Sequence, residues 1–309
     1  MSSDDAIPAR PFGAVGTAMV TPLTPDASGL DLDAAQRTAA HLVEHGNDLL
    51  VLGGTTGESP TVSDAEKLEL VRAVREAVGD RATLVAGVGS NDTRHSVELA
   101  RASAELEIDG VMVVTPYYSK PSQEGIVAHT RAVADATDLP VMLYDIPGRA
   151  GVGLSTDTLL TLAEHERIVA VKDAKGDLHQ ATVVMARSGL AYYSGEDALN
   201  LAWLALGAAG VVSVVGHAAP RLEADLVQAV DAGDLAHARA ISARLAPLVE
   251  ALMDRIPGVT AAKTALMLQG VLPHAAVRLP LVAPNPEEVA DLAATLGAAD
   301  GIPPLTRQP

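Results

Sequence analysis

Cysteine is absent from this chain of 309 residues, and aromatic residues make up only 2% of it. The lack of cysteine excludes disulfides, thiolate metal sites and cysteine nucleophiles. With 48% hydrophobic residues but few aromatic rings, the core must be built from Val, Leu, Ile and Ala. That composition suits parallel strands buried on both faces better than an aromatic-rich sandwich.

Positive charge is also scarce, because 22 Lys and Arg face 39 Asp and Glu, for a net charge of -17. Such a field repels phosphate backbones and anionic lipid surfaces, so we predict no nucleic-acid and no membrane partner. No apolar run is long enough to span a bilayer, and the first ten residues contain no apolar signal segment. We therefore expect a soluble, cytoplasmic protein.

Short apolar runs alternate eight times with amphipathic stretches, which predicts a (β/α)8 TIM barrel. A doubly wound sheet shares this alternation and is the alternative. After residue 233 only helical patterns remain, so we predict a catalytic barrel over residues 1–233 and a C-terminal helical extension, residues 234–309, packed on it. The predicted strands are 13–20, 48–53, 83–88, 110–115, 140–145, 168–172, 191–194 and 210–215.

Lys172, one of only five lysines, ends the apolar run of the sixth predicted strand. A lysine at the end of a buried strand costs free energy unless its charge is paired or lost. Because burial disfavours the charged form, and a neutral amine is a nucleophile, Lys172 is a candidate Schiff-base lysine. The alternative is a lysine whose amine simply reaches solvent.

Polar motifs follow other predicted strands at the same end, where (β/α)8 enzymes carry their active sites. The segment GGTTGES, residues 53–59, offers backbone N–H groups and the hydroxyls of Thr55 and Thr56. We interpret it as a cradle for a carboxylate or phosphate, with a glycine turn capped by threonines as the alternative. It matches neither a Walker loop nor a dinucleotide fingerprint, and the nine histidines lack zinc-ligand spacing, so we predict no cofactor and no metal.

Tyr144 and Arg149 follow the fifth predicted strand. Since strands five and six would be neighbours, the Tyr144 hydroxyl could lie near Lys172 and relay protons, unless it is simply a core aromatic. Arg149 is the only arginine in the strand-end motifs. In an acidic chain it is the natural bidentate clamp for a substrate carboxylate, although a solvated loop arginine is the alternative.

Four segments together resemble the dihydrodipicolinate synthase / N-acetylneuraminate lyase family of class I aldolases. The resemblance runs from about Phe12 to the C-terminal helices. It implies a lyase that condenses pyruvate with L-aspartate-4-semialdehyde in lysine and diaminopimelate biosynthesis. The segments are GGTTGES at 53–59, VTPYY at 114–118, YDIPGR at 144–149 and VKDA at 171–174.

The resemblance also implies a role for each matching residue. Lys172 would form the imine with pyruvate. Thr55 and Thr56 would hold the pyruvate carboxylate, with Thr55 also in a proton relay with Tyr144 and Tyr118.

By the same resemblance, Arg149 would bind the semialdehyde carboxylate, and Gly195 and the carbonyl of Val212 would line the pyruvate pocket. Tyr118 would reach into the site of a neighbouring subunit, in a homotetramer of two tight dimers.

Two other functions remain open. One is another pyruvate-dependent class I aldolase, similar to N-acetylneuraminate lyase or a keto-acid aldolase, against which Arg149 argues because sugar chains need hydroxyl-binding groups there. The other is a non-catalytic keto-acid-binding homologue, which would be expected to lack Lys172 or Tyr144.

Two sets of residues depart from the pattern of the family. Asp145 replaces the frequent Asn after the tyrosine, and Asp173 replaces the frequent Glu after the lysine. At the family's lysine-feedback site, the places of two histidines and a glutamate hold Asp64, Lys67 and His95. A like charge near a lysine effector weakens its binding, so we expect weak or absent inhibition by lysine.

Overall fold

The strands close into a barrel in a computed structural model that describes residues 9–307. Within these residues eight parallel strands pair in chain order, and the last pairs with the first. This confirms the (β/α)8 barrel and excludes the doubly wound sheet. The strands are β1 Val15–Ala18, β2 Leu49–Leu52, β3 Thr83–Gly87, β4 Gly110–Val114, β5 Val141–Asp145, β6 Ile168–Asp173, β7 Ala191–Ser194 and β8 Gly210–Ser213.

Helices follow each strand and then continue beyond the barrel. Most begin at a Ser, Asp or Asn whose side chain accepts a hydrogen bond from a backbone N–H in the first turn, and Ser63 and Glu66 form the capping box of α2. The described residues contain α1 Leu32–Glu44, α2 Asp64–Val78, α3 Thr93–Ala104, α4 Gln123–Ala134, α5 Pro147–Ala150, α6 Thr156–Ala163, α7 Leu178–Arg187, α8 Asn200–Ala205, α9 Pro220–Asp231, α10 Leu235–Val249, α11 Gly258–Leu268 and α12 Pro286–Ala298.

Two helical features differ from the sequence pattern. The first helical pattern after residue 233 is α10 followed by a π-helical turn, Glu250–Asp254, shortly after Pro247, which has no backbone N–H to donate. The short helix α5 was not predicted, because one turn cannot show a helical period.

Alternate residues of each strand face the barrel interior and the helix layer. On β5, Met142 and Tyr144 belong to the interior cluster, whereas Leu143 packs in the outer cluster under the helices. The same alternation on β6 directs Lys172 inward and Asp173 outward. The last two residues of β5 and β6 therefore point their side chains to opposite sides of the barrel wall.

Phe12, the only phenylalanine, fills the interior near the start of the strands. Its backbone N–H donates to the Tyr193 hydroxyl at 3.2 Å, and that hydroxyl donates to the Gly13 carbonyl at 3.0 Å. A Cβ at Gly110 would lie 2.4 Å from the Phe12 ring, so the lack of a side chain there makes room for it. With this end packed, the open end is the one where the strands finish.

The helices after β8 share a second hydrophobic cluster with the barrel. Residues of α9, α10, α11 and α12 pack there together with Val15 of β1 and Val211 of β8. The described helices thus continue the barrel's core, and the division of the chain at residue 233 stays an interpretation. None of the helices within residues 9–307 is long and apolar enough to cross a membrane.

Candidate active site

A cleft of about 390 Å³ opens at the carboxyl ends of β2 to β5. Four of the residues singled out from the sequence line it, namely Thr55, Tyr118, Tyr144 and Arg149. The remaining four are more enclosed or lie beside it. This is the end of a (β/α)8 barrel at which enzymes of this architecture bind substrates.

Lys172 and Tyr144 are brought together by strand pairing. They are direct partners in the register of β5 and β6, and each is 4% exposed. The Lys172 Nζ lies 4.4 Å from the centroid of the Tyr144 ring. Across residues 9–307, no carboxylate comes within 4.0 Å of this Nζ. The amine therefore rests on an aromatic face rather than in a salt bridge.

Gly195 and Val212 lie on the strands that follow. A Cβ at Gly195 would approach the Lys172 Cε to 2.9 Å, so only glycine leaves space beside this amine. The Gly195 N–H donates to the Asp173 carbonyl at 2.7 Å, which ties the turn after β7 to the end of β6. Val212 is buried in the interior cluster that contains Tyr144.

The threonine segment forms a tight turn after β2. The Glu58 N–H donates to the Thr55 carbonyl at 3.1 Å, and the Ser59 N–H donates to the Gly54 carbonyl at 3.2 Å. Thr55 is half-buried at the cleft, whereas Thr56 is buried. The turn thus presents one threonine to the cleft and encloses the other.

Arg149 and Tyr118 occupy the rim of the cleft. Arg149 is exposed on α5, the single turn that follows β5. Tyr118 is 90% exposed and has a φ of 72°, an uncommon conformation for a residue with a side chain. So exposed a ring has little contact with its own chain.

Asp197 has a contact that the sequence did not predict. It begins a 3-10 turn, Asp197–Leu199. Its carboxylate, however, accepts hydrogen bonds from the backbone N–H groups of Val214 at 2.9 Å and Val215 at 3.0 Å. Asp197 therefore also holds the turn after β8, next to Val212.

Asp64, Lys67 and His95 meet beside the threonine turn. The Lys67 Nζ lies 3.5 Å from one carboxylate oxygen of Asp64, and the His95 Nε2 lies 2.6 Å from the other. One carboxylate thus serves both basic side chains. Within the described part of the chain, no group of three or more His, Cys, Asp or Glu residues could hold a metal ion.

Comparison with known proteins gives similarity along nearly the whole chain. The profile of the Dihydrodipicolinate synthetase family matches residues 11–299. A 4-hydroxy-tetrahydrodipicolinate synthase of Kineococcus radiotolerans is 61% identical over 295 residues, which are 95% of each protein.

Solved structures agree with the barrel and its C-terminal helices. Dihydrodipicolinate synthase DapA-2 from Bacillus anthracis superposes with a TM-score of 0.89 at 40% identity, over 93% of this chain and 98% of that one. The dihydrodipicolinate synthase of Cyanidioschyzon merolae, solved with lysine bound, has a TM-score of 0.89 at 40% identity, over 94% and 99% of the chains.

Asp145 and Asp173 directly follow Tyr144 and Lys172 and are also register partners. Both are at most 2% exposed. The Asp173 carboxylate accepts hydrogen bonds from the backbone N–H groups of Lys175 at 2.9 Å and Gly176 at 2.8 Å. The Asp145 carboxylate has only longer contacts, at 3.2 and 3.3 Å, with the N–H of Leu154. Burial, and then the charge of Asp173, raise the pKa of Asp145 to about 7, against the hydrogen bond from Leu154 and the charge of Lys175. Asp145 is therefore the carboxyl that keeps its proton near neutral pH.

We expect Asp145→Asn to stabilise the protein above pH 7 and to have little effect near pH 4. The pKa of Asp145 rises from its ordinary value of 3.8 to about 7 in the folded chain, so the folded state binds more protons between these values. Stability is thus lost as the pH rises through that window. The gain at pH 8 should be on the order of a few kcal/mol at most.

Thermal unfolding of both proteins at pH 4 to 8 measures this difference. Asp138→Asn is the matched control, because the Asp138 side chain is fully exposed and its ion pair with Arg167 should contribute little. Parallel stability profiles for wild type and Asp145→Asn would show that Asp145 is ionised in the folded chain throughout.

Proposed function

The chain belongs to the dihydrodipicolinate synthetase family, and we propose on that basis that it condenses pyruvate with L-aspartate-4-semialdehyde. This is the 4-hydroxy-tetrahydrodipicolinate synthase reaction of lysine and diaminopimelate biosynthesis, and it makes the protein a lyase of the class I aldolase type. The single observation that carries the proposal is the buried Lys172 amine, unpaired by any near carboxylate and set over the Tyr144 ring beside an open cleft.

Lys172 supplies the nucleophile. Its neutral Nζ adds to the keto carbon of pyruvate, and loss of water from the carbinolamine gives an imine. Loss of a methyl proton then makes an enamine, whose carbon attacks the aldehyde of the second substrate. Each step moves a proton, and the Tyr144 side chain is the group from the neighbouring strand placed to relay it.

The remaining roles follow from position around Lys172. Thr55 and Thr56 hold the pyruvate carboxylate, with the Thr55 hydroxyl also in the proton relay. Gly195 leaves space beside the amine, and the carbonyl of Val212 lines the same pocket.

Arg149 recognises the carboxylate of the semialdehyde from the rim of the cleft. A guanidinium suits a carboxylate better than the hydroxyls of a sugar chain, which favours this reaction over that of a sialic-acid lyase. Retention of both Lys172 and Tyr144 disfavours a binding protein without activity.

Tyr118 completes the relay across a subunit boundary, in a homotetramer of two tight dimers. The support is its 90% exposure at the rim, which leaves the ring free to enter a second copy. The working compartment that we propose is the cytoplasm.

Feedback by lysine is weak or absent. The aliphatic chain of Lys67 passes Gly53, with its Cγ 3.7 Å from where a Cβ would lie, and Asp64 already contacts both Lys67 and His95. An ammonium effector would therefore meet a like charge and find the nearest carboxylate engaged.

Borohydride reduction in the presence of pyruvate should attach a pyruvyl group to Lys172, because only an imine is reduced to a stable adduct. Peptide mass mapping locates the adduct. In Lys172→Ala the adduct should disappear and activity should fall by roughly 10³-fold or more. Lys175→Ala is the matched control and should keep both the adduct on Lys172 and the activity. An adduct on Lys175, or full activity in Lys172→Ala, contradicts the assignment.

Arg149→Ala should still form the pyruvate imine but condense poorly with the semialdehyde. Losing a charge-assisted clamp should cost roughly 1.5–3 kcal/mol of transition-state binding, or about 10- to 150-fold in kcat/KM for the semialdehyde. Arg149→Lys keeps the charge but not the planar guanidinium, so its kcat/KM for the semialdehyde should lie between those of the wild type and Arg149→Ala. Failed imine formation together with normal condensation per imine would show that Arg149 serves pyruvate instead.

Lysine at millimolar concentration should inhibit initial rates only slightly at fixed pyruvate. Lys67→Ala removes the like charge and should make the enzyme more sensitive to lysine. Half-maximal inhibition of the wild type well below one millimolar would refute the proposal.

A further inference from the structure

Glu58 lies at a position where both the backbone conformation and the burial of the side chain are unfavourable for a glutamate. Its φ is 56°, in the left-handed region that costs a residue with a side chain on the order of 1–3 kcal/mol. Its side chain is also 1% exposed, and burying a carboxylate is costly unless it is paired. Glycine would avoid both costs. The contacts of the Glu58 side chain must therefore outweigh them.

Those contacts come from the C-terminal helices. One carboxylate oxygen accepts from the Nζ of Lys263 on α11, which is likewise 1% exposed and also donates to the Ala276 carbonyl at 2.8 Å. The other oxygen accepts from the Arg278 backbone N–H at 2.9 Å. These partners lie 205 and 220 residues further along the chain. A buried ion pair thus ties the far end of the chain to the turn after β2.

Glu58 is also part of the threonine turn itself. Its N–H donates to the Thr55 carbonyl at 3.1 Å, and its own carbonyl accepts from the Thr61 N–H at 2.9 Å. On the other side, the Thr21 hydroxyl donates to the Gly57 carbonyl at 2.7 Å. A shift of the Glu58 side chain would therefore be passed through one hydrogen bond to Thr55.

A second ion pair joins the same C-terminal segment to a different element. The Arg278 guanidinium donates to both oxygens of Glu66 on α2, at 2.9 and 2.6 Å. These side chains are 17% and 21% exposed, so this pair is less buried than the first. Arg278 also donates to the Thr61 carbonyl at 2.7 Å, but within the described residues the Glu66 carboxylate bonds only Ser63 and Arg278 and no residue of the threonine turn. Glu66 therefore provides a control within the same part of the fold.

We propose that Glu58 and Lys263 are positioning residues, through which residues 263–278 hold the Thr55–Thr56 turn in the geometry that binds the pyruvate carboxylate. The inference rests on the proposed function, which assigns that turn to pyruvate. Removing one partner leaves an unpaired charge in the interior, and the turn must shift to relieve it. Pyruvate binding then weakens, whereas recognition of the semialdehyde, which uses Arg149 on α5, is preserved.

The test compares Glu58→Gln and Lys263→Met with the wild type. The amount of borohydride-trapped adduct is measured against pyruvate concentration, and initial rates are measured while each substrate is varied. The pyruvate concentration that gives half of the maximal adduct, called half-saturating pyruvate below, should rise at least roughly tenfold. This is the effect expected for one lost charge-assisted hydrogen bond. The KM for the semialdehyde should stay within about threefold, because Arg149 on α5, and not the turn, recognises that substrate.

Two further variants separate positioning from general stability. Glu66→Gln makes the same chemical change in the outer pair and should leave half-saturating pyruvate unchanged, even if the thermal midpoint falls. The double variant Glu58→Gln/Lys263→Met leaves no unpaired charge and should be no worse than the worse single variant. It still lacks the tether, so its half-saturating pyruvate should stay more than threefold above that of the wild type.

Each outcome decides the matter. Half-saturating pyruvate within threefold of wild type in the folded single variants overturns the inference, and the pair is then structural only. If the single variants fail to fold, the double variant is judged by the same limit. A wild-type chain that traps no pyruvate overturns the proposed function and this inference with it. If the wild type traps pyruvate and the variants have the same half-saturating pyruvate as the wild type, this inference alone is overturned.

Discussion

The candidate site depends on the in-register pairing of β5 with β6. This pairing sets Tyr144 beside Lys172 inside the barrel, and Asp145 beside Asp173 behind its wall. Because side chains alternate along a strand, a slip of one residue in either strand would reverse the facing of its side chains and break both pairs. The same few hydrogen bonds thus place a reactive amine next to a phenol and confine two carboxyl groups to the layer beneath the helices.

The cost of burying an ionisable side chain is met in three different ways, at Lys172, Lys263 and Asp145. Lys172 lies over an aromatic ring and has no carboxylate nearby in the described structure. Lys263 is paired with Glu58, whose charge opposes the effect of burial on the pKa of Lys263. Asp145 has poor partners, and burial raises its pKa to about 7. Of the two buried lysines, the one without an anionic partner is the one to which the proposed function assigns the imine.

The C-terminal helices take part in the site without lining the cleft. They share a hydrophobic cluster with β1 and β8, and their polar contacts reach the turn after β2. A barrel whose strands are only four to six residues long has long loops at its open end, and those loops need support from outside. Here a helix from the end of the chain provides that support through one buried ion pair.

Much of the architecture and the position of the candidate site could be predicted from the sequence, because strand and helix periods depend on near neighbours. The apolar runs located all eight strands to within a few residues, and the strand ends identified Lys172, Tyr144, Thr55 and Arg149. What local patterns could not reveal are contacts between distant segments. The Glu58–Lys263 pair and the raised pKa of Asp145 depend on how α11 and the strand layers pack, since burial and partners exist only once the chain has folded.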